Sequence, residues 1–103
     1  MSEGFALIVR LEVIDRHRAA FLAAISSNAT QSVAEEPGCQ RFDVLTPVLG
    51  PGGSVLLYEI YDDRAAFEQH LRSDHFLRFD AATRPMLRSK AVDFFSVTEN
   101  RKP

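Results

Sequence analysis

The spacing of apolar positions changes along the chain, and each change marks an element. From Phe5 to Ile14 the residues Phe5, Leu7, Val9, Leu11 and Val13 form one face, while Ala6, Ile8 and Ile14 put apolar groups on the other. That pattern predicts a strand covered on both faces. Asp15 is placed to cap a helix running to about Glu35. On the 3.6-residue period Phe21, Leu22, Ile25, Ala29 and Val33 make its apolar stripe, with Asn28 and Ser32 at the stripe's edge. Pro37 then disfavours helical geometry at Glu36, and Gly38 permits backbone angles that other residues resist, so the helix gives way to a corner.

Alternation resumes after that corner. Gln40, Phe42 and Val44 point one way, and Cys39, Arg41, Asp43 and Leu45 the other. The breaker-rich segment Pro47 to Ser54 is a turn, and Val55 to Tyr61 returns as the second arm of a hairpin. A register with Leu45 opposite Val55 sets Arg41 beside Glu59. Asp62 or Asp63 can cap a short helix carrying Ala66, Phe67, His70 and Leu71. Ser73 can cap another carrying Phe76, Phe79, Thr83 and Leu87, which Pro85 ends near Arg84. The last strand, Val92 to Thr98, has Val92 and Phe94 on one side and Phe95 and Val97 on the other, covered on both faces, and Glu99 to Pro103 is a polar tail.

Strand, helix, strand, strand, helices, strand is the order of a split βαβ unit. The chain is therefore read as one α+β, ferredoxin-like domain over residues 1–103, with its core at 5–98 and an antiparallel sheet. Helices cover only one face of such a sheet. Strands apolar on both faces then call for a second copy of the chain, so a homodimer is expected.

Composition narrows the partners. With 103 residues and 46% hydrophobic content the chain can bury one core. A net charge of -2, without a basic stripe, gives no surface for nucleic acid or an anionic membrane. No apolar run approaches the roughly 20 residues that span a bilayer, and no secretory layout opens the chain, so a cytoplasmic protein is expected. Cys39 is the one cysteine; it forms no internal disulfide and reads as a small apolar filler.

Chemistry concentrates in few residues. His70 and His75 stand five apart near a helix break, and imidazole takes or gives protons near neutrality. Glu59 interrupts an apolar strand, so it is either paired, with Arg41 the candidate, or raised in pKa. Asn28 and Ser32 are polar groups beside an apolar stripe; each could bond to the helix backbone, bond to a dimer neighbour or meet a substrate. Phe42, Phe67, Phe76 and Phe79, with Tyr58 or Tyr61, could line a cavity for a flat ring. Two histidines without a third ligand predict no metal site. Gly50, Gly52 and Gly53 join strands rather than opening a helix, so no nucleotide or flavin cofactor is expected.

The stretch Glu36-Pro37-Gly38-Cys39-Gln40-Arg41-Phe42-Asp43-Val44, read with Leu57-Tyr58-Glu59-Ile60-Tyr61 and His70-Leu71-Arg72-Ser73-Asp74-His75-Phe76, resembles the antibiotic-biosynthesis monooxygenase domain family. The resemblance implies a small dimeric ferredoxin-like protein, with histidines and an asparagine facing a pocket between helices and sheet. Related domains perform cofactor-free oxygenation, isomerisation and haem degradation. The reading it favours is a cofactor-independent monooxygenase that oxidises a small electron-rich aromatic, such as a quinol, anthrone or phenol, with dioxygen. His70 or His75 is then the base, and Asn28 and Arg41 hold the anion. A second reading resembles the autoinducer-2 degradation branch: an isomerase acting on a small carbonyl compound, phosphorylated or not, in which a histidine and Glu59 shuttle a proton. A third is a non-catalytic dimeric domain that binds a small ligand. Haem-degrading relatives use a tryptophan against the porphyrin, and this chain has none.

Overall fold

The computed structural model describes residues 4–50 and 52–99. In chain order the elements are β1 (Gly4–Val13), α1 (Arg18–Glu35), β2 (Cys39–Leu45), β3 (Ser54–Tyr61), α2 (Arg64–Leu71), α3 (Asp74–Thr83) and β4 (Leu87–Val97). The strands form one antiparallel sheet in the order β2-β3-β1-β4. With its helices on one face this is the α+β ferredoxin-like arrangement. No helix among the described residues is long and apolar enough to cross a membrane. Of the expected polar tail, only Glu99 lies within the described residues.

The sheet's helix-facing side carries the core. Leu7, Val9, Leu11 and Val13 from β1 join Val55, Leu57 and Tyr61 from β3, and they pack against Phe21, Ile25 and Ala29 of α1. Burying such a side chain stabilises by roughly 1.5–3 kcal/mol, so this layer dominates the fold. The opposite side presents Ile8, Leu56, Tyr58 and Phe95, with no helix of the chain over them.

Local chemistry explains the helix ends. Asp63 accepts a hydrogen bond from the Ala66 amide at 2.8 Å, and Ser73 accepts one from the Phe76 amide at 3.3 Å, so both short helices are capped as the sequence predicts. Asp15 does not cap α1. It opens a 3-10 turn, Asp15–His17, that leads into the helix without a side-chain cap. Pro85 stops α3 at Thr83 and the chain passes through a second 3-10 turn, so Leu87 starts β4 instead of ending a helix. The last strand begins five residues earlier than its apolar pattern suggests, because pairing with β1 recruits the polar run Arg88 to Lys90.

Three further expectations change. Val33, assigned to the α1 stripe, is half exposed, while Asn28 and Ser32 are buried in its place. β4 is covered only in part by this chain: Leu87 and Val92 pack against the core, but Phe94 and Phe95 are 54% and 50% exposed on its two sides. In the hairpin, Leu45 pairs with Leu56 rather than Val55, and a bulge between Cys39 and Arg41 sets Arg41 opposite Ile60 and Phe42 opposite Glu59. Cys39, Phe42 and Val44 consequently pack into the core, whereas Arg41 and Asp43 face outward, so Arg41 does not pair with Glu59.

Candidate active site

The helix C-terminus of α1 and the break between α2 and α3 meet at one carboxylate. Glu36, the residue that Pro37 forces out of helical geometry, is bonded through Oε2 to both histidines. His70 Nδ1 lies 2.8 Å from that oxygen and His75 Nε2 lies 2.6 Å from it. An ionised carboxylate only accepts, so each ring donates an N–H here. Both imidazoles are buried. In this tautomer His70 keeps Nε2 as its remaining nitrogen, with a free lone pair.

His70 also lines a cavity of about 180 Å³ between the sheet and the helices. An apolar cavity of roughly 150 Å³ is enough to take benzene, so the space suits one substituted ring. Its walls are mostly apolar: Leu7, Val9 and Leu11 on the sheet, Phe67, Phe76 and Phe79 on the helices. Phe76 packs against His70 with ring centroids 5.0 Å apart.

Polar groups in this cavity are few. Asn28 lines it, is nearly fully buried, and its Oδ1 has no hydrogen-bond partner. Such an orphan costs about 1–3 kcal/mol. Glu59 lines it as well, 3% exposed, and accepts a hydrogen bond from the Tyr61 hydroxyl at 2.7 Å. Burial pushes the Glu59 carboxyl up from 4.5 to about 7, against the opposing pull of the Tyr61 hydrogen bond and of Lys90. Burial likewise lowers the pKa of His70, partly offset by Glu36, which favours the imidazolium. The Tyr61 hydroxyl is held strongly in its neutral form by burial and by Glu59. Burial, with Glu36 and Glu59 nearby, raises the Cys39 thiol to about 11, which makes it a core group and not a nucleophile.

The structure sorts the sequence candidates. His70, Asn28, Glu59, Phe42, Phe67, Phe76 and Phe79 come together around the cavity. His75 does not line it; it sits behind His70 on Glu36. Ser32 is fully buried and spends its hydroxyl on the Asn28 carbonyl at 2.8 Å. Arg41 and Tyr58 lie on the other side of the sheet. The Arg41 guanidinium is 2.7 Å from Asp43 and 5.7 Å from the Tyr58 ring centre. Three polar lining residues were not foreseen, Asp80, Thr83 and Lys90, nor was the part played by Glu36. Glu36 did carry a signal, as a carboxylate fixed at a helix end by the Pro-Gly corner.

Glu36 also changes the metal question. Among the described residues Glu36, His70 and His75 bring ligand atoms within 4.8 Å of one another, so the third donor that the sequence lacked is present. The two nitrogens and the shared oxygen are engaged with each other in hydrogen bonds.

A helix-covered antiparallel sheet is what similar solved structures share. The chain belongs to the family described as antibiotic biosynthesis monooxygenase, whose model matches residues 4–82. A curated relative from Mycobacterium tuberculosis, named "Putative monooxygenase Rv0793", is 30% identical over 87 residues, covering 84% of this chain and 83% of the relative. The solved structure of Rv0793 superimposes with a TM-score of 0.86 at 27% identity, over 96% of this chain and 99% of that one. PA3566 from Pseudomonas aeruginosa shares the fold, with a TM-score of 0.86 at 24% identity, over 96% of this chain and 98% of its own.

Proposed function

We propose that the protein is a cofactor-independent monooxygenase that oxidises a small electron-rich aromatic, a quinol or related phenol, with dioxygen. The observation that carries this reading is an imidazole lining an apolar, ring-sized cavity, with Nδ1 committed to Glu36. His70 Nε2 takes the phenolic proton. The resulting anion is electron-rich enough to pass an electron to dioxygen, so the protein's share is orientation, exclusion of water and stabilisation of charge. Glu36 acts as a positioning residue: it fixes the tautomer and stabilises the imidazolium that forms. His75 bonds the same oxygen of Glu36 and holds it in place. Asn28 Oδ1, which has no other partner, accepts a hydrogen bond from a substrate hydroxyl.

A second reading has one observation in its favour. Glu59, poised near neutrality in the same cavity as His70, supplies the second proton carrier that an isomerase acting on a small carbonyl compound needs. For either reaction the open sheet face, with Ile8, Leu56, Tyr58 and Phe95, is the surface on which two chains would pair as a homodimer.

Oxygen uptake decides between the two. Metal-stripped protein is mixed with hydroquinones and anthrones in the presence of chelator, with His70→Ala beside wild type. Enzyme-dependent uptake that falls about a hundredfold or more in the variant supports the base role. Uptake no faster than the spontaneous rate, with exchange of carbon-bound hydrogen in small carbonyl compounds, replaces oxygenation by isomerisation.

A further inference from the structure

Arg41 is turned away from the cavity and tied to Asp43, so the anion-holding role expected of it under the monooxygenase reading is vacant. Lys90 is the one lysine or arginine among the described residues that line the cavity. It pairs with Leu11 on β4, so its side chain leaves the same face of the sheet as the core. Among the described residues its ammonium has no ion-pair partner. The neighbouring wall carboxylate, Asp80, is bonded to Arg84 instead.

Register places Lys90 some way along the sheet from Glu59. Glu59 stands at the level of Leu7 on β1, and Lys90 at the level of Leu11 on the other flank. Four residues along a strand is about 13 Å and two strand spacings add about 10 Å across the sheet. The backbone positions of Glu59 and Lys90 are thus separated by more than a ring's width, with Leu7, Val9, Leu57 and Val92 lining the cavity between them. Charge interactions over such a wall are stronger than in bulk water. Lysine's compact ammonium sets no bidentate geometry, so carboxylate and phosphate are served by the same chemistry.

We propose that Lys90 is the anion-recognition residue of the cavity, selecting aromatic substrates whose acidic substituent lies meta to the hydroxyl presented to His70. This rests on the quinol reading above and names the class of quinol. Glu59 responds to the same cation: Lys90 draws its carboxyl downward, against burial.

The test compares (2,5-dihydroxyphenyl)acetate with its amide, which has nearly the same shape without the charge. Binding is measured anaerobically by calorimetry or NMR titration, so that turnover plays no part, in wild type, Lys90→Met and Lys90→Arg. Wild type should hold the acid at least tenfold tighter than the amide, Lys90→Met should bring the ratio to about one, and Lys90→Arg should retain most of it. A preference that persists in Lys90→Met, or no preference in wild type, overturns the proposal while leaving the quinol reading in place. Binding of neither compound at millimolar concentration overturns both.

Discussion

Glu36 and His70 are 34 residues apart in the chain and 2.8 Å apart in space. The contact joins the end of the long helix to the break between the two short ones, and it decides which imidazole nitrogen is available to a substrate.

Glu36→Gln tests that coupling. It keeps the shape and one acceptor but removes the charge that favours the imidazolium, so His70 should move further below its ordinary value. We expect kcat to fall by roughly tenfold and the acid limb of the kcat/KM profile to shift to lower pH. In wild type that limb should already lie below 6.5, since burial lowers the pKa of His70. A uniform loss of rate with the limb unmoved would assign Glu36 a purely structural part.

Glu59 makes stability depend on pH. Its folded pKa, about 7, is above the ordinary 4.5, so the folded chain binds this proton more tightly than the unfolded one. The associated stability is fully present below about pH 4.5 and is lost as pH rises through about 7. The full swing is about 3 kcal/mol. Glu59→Gln, which keeps an acceptor for the Tyr61 hydroxyl, should be more stable than wild type at pH 8 by about 1–3 kcal/mol and close to it at pH 4.5. Urea titrations at the two pH values measure the difference.

Gly38 is required by space. A Cβ there would lie 2.6 Å from the Ala66 Cβ of α2. Gly38→Ala must push the corner away from α2, and with it Glu36 away from His70. We expect a loss of about 1–3 kcal/mol, read by thermal melting, together with lower activity at temperatures where the variant is still folded.

Pairing of two chains through the open sheet face predicts a clean effect of Ile8→Lys. Ile8 stands between Tyr58 and Asp93 on that face, where the new ammonium can pair with Asp93 in an isolated chain. Sedimentation should show association weakened at least tenfold while the far-ultraviolet spectrum is unchanged. An unaltered dimer would move the interface elsewhere.

The elements were readable because their signals are local. Asp63 and Ser73 cap their helices, Pro85 ends α3, and alternation marks the strands. Within the site, His70, Asn28, Glu59 and the four phenylalanines were also legible, as polar or aromatic residues set into apolar patterns. What could not be read depends on pairing at a distance. Glu36 meets residues 34 and 39 positions away, and Lys90 enters the wall through the β1–β4 register. Arg41 was misplaced for a related reason: alternation assumes an unbroken pleat, and the strand has a bulge.

That bulge works as a change of phase. Cys39 and Phe42, three residues apart, both reach the core because the strand enters with one parity and leaves with the other. A relative lacking one residue between them would need no bulge, since residues two apart share a face by plain alternation and the positions of Cys39 and Phe42 would both still reach the core. Loss of a single codon here would thus leave the aromatic wall in place, whereas a strand that kept every residue but ran without the bulge would turn the position of Arg41 inward and that of Phe42 outward.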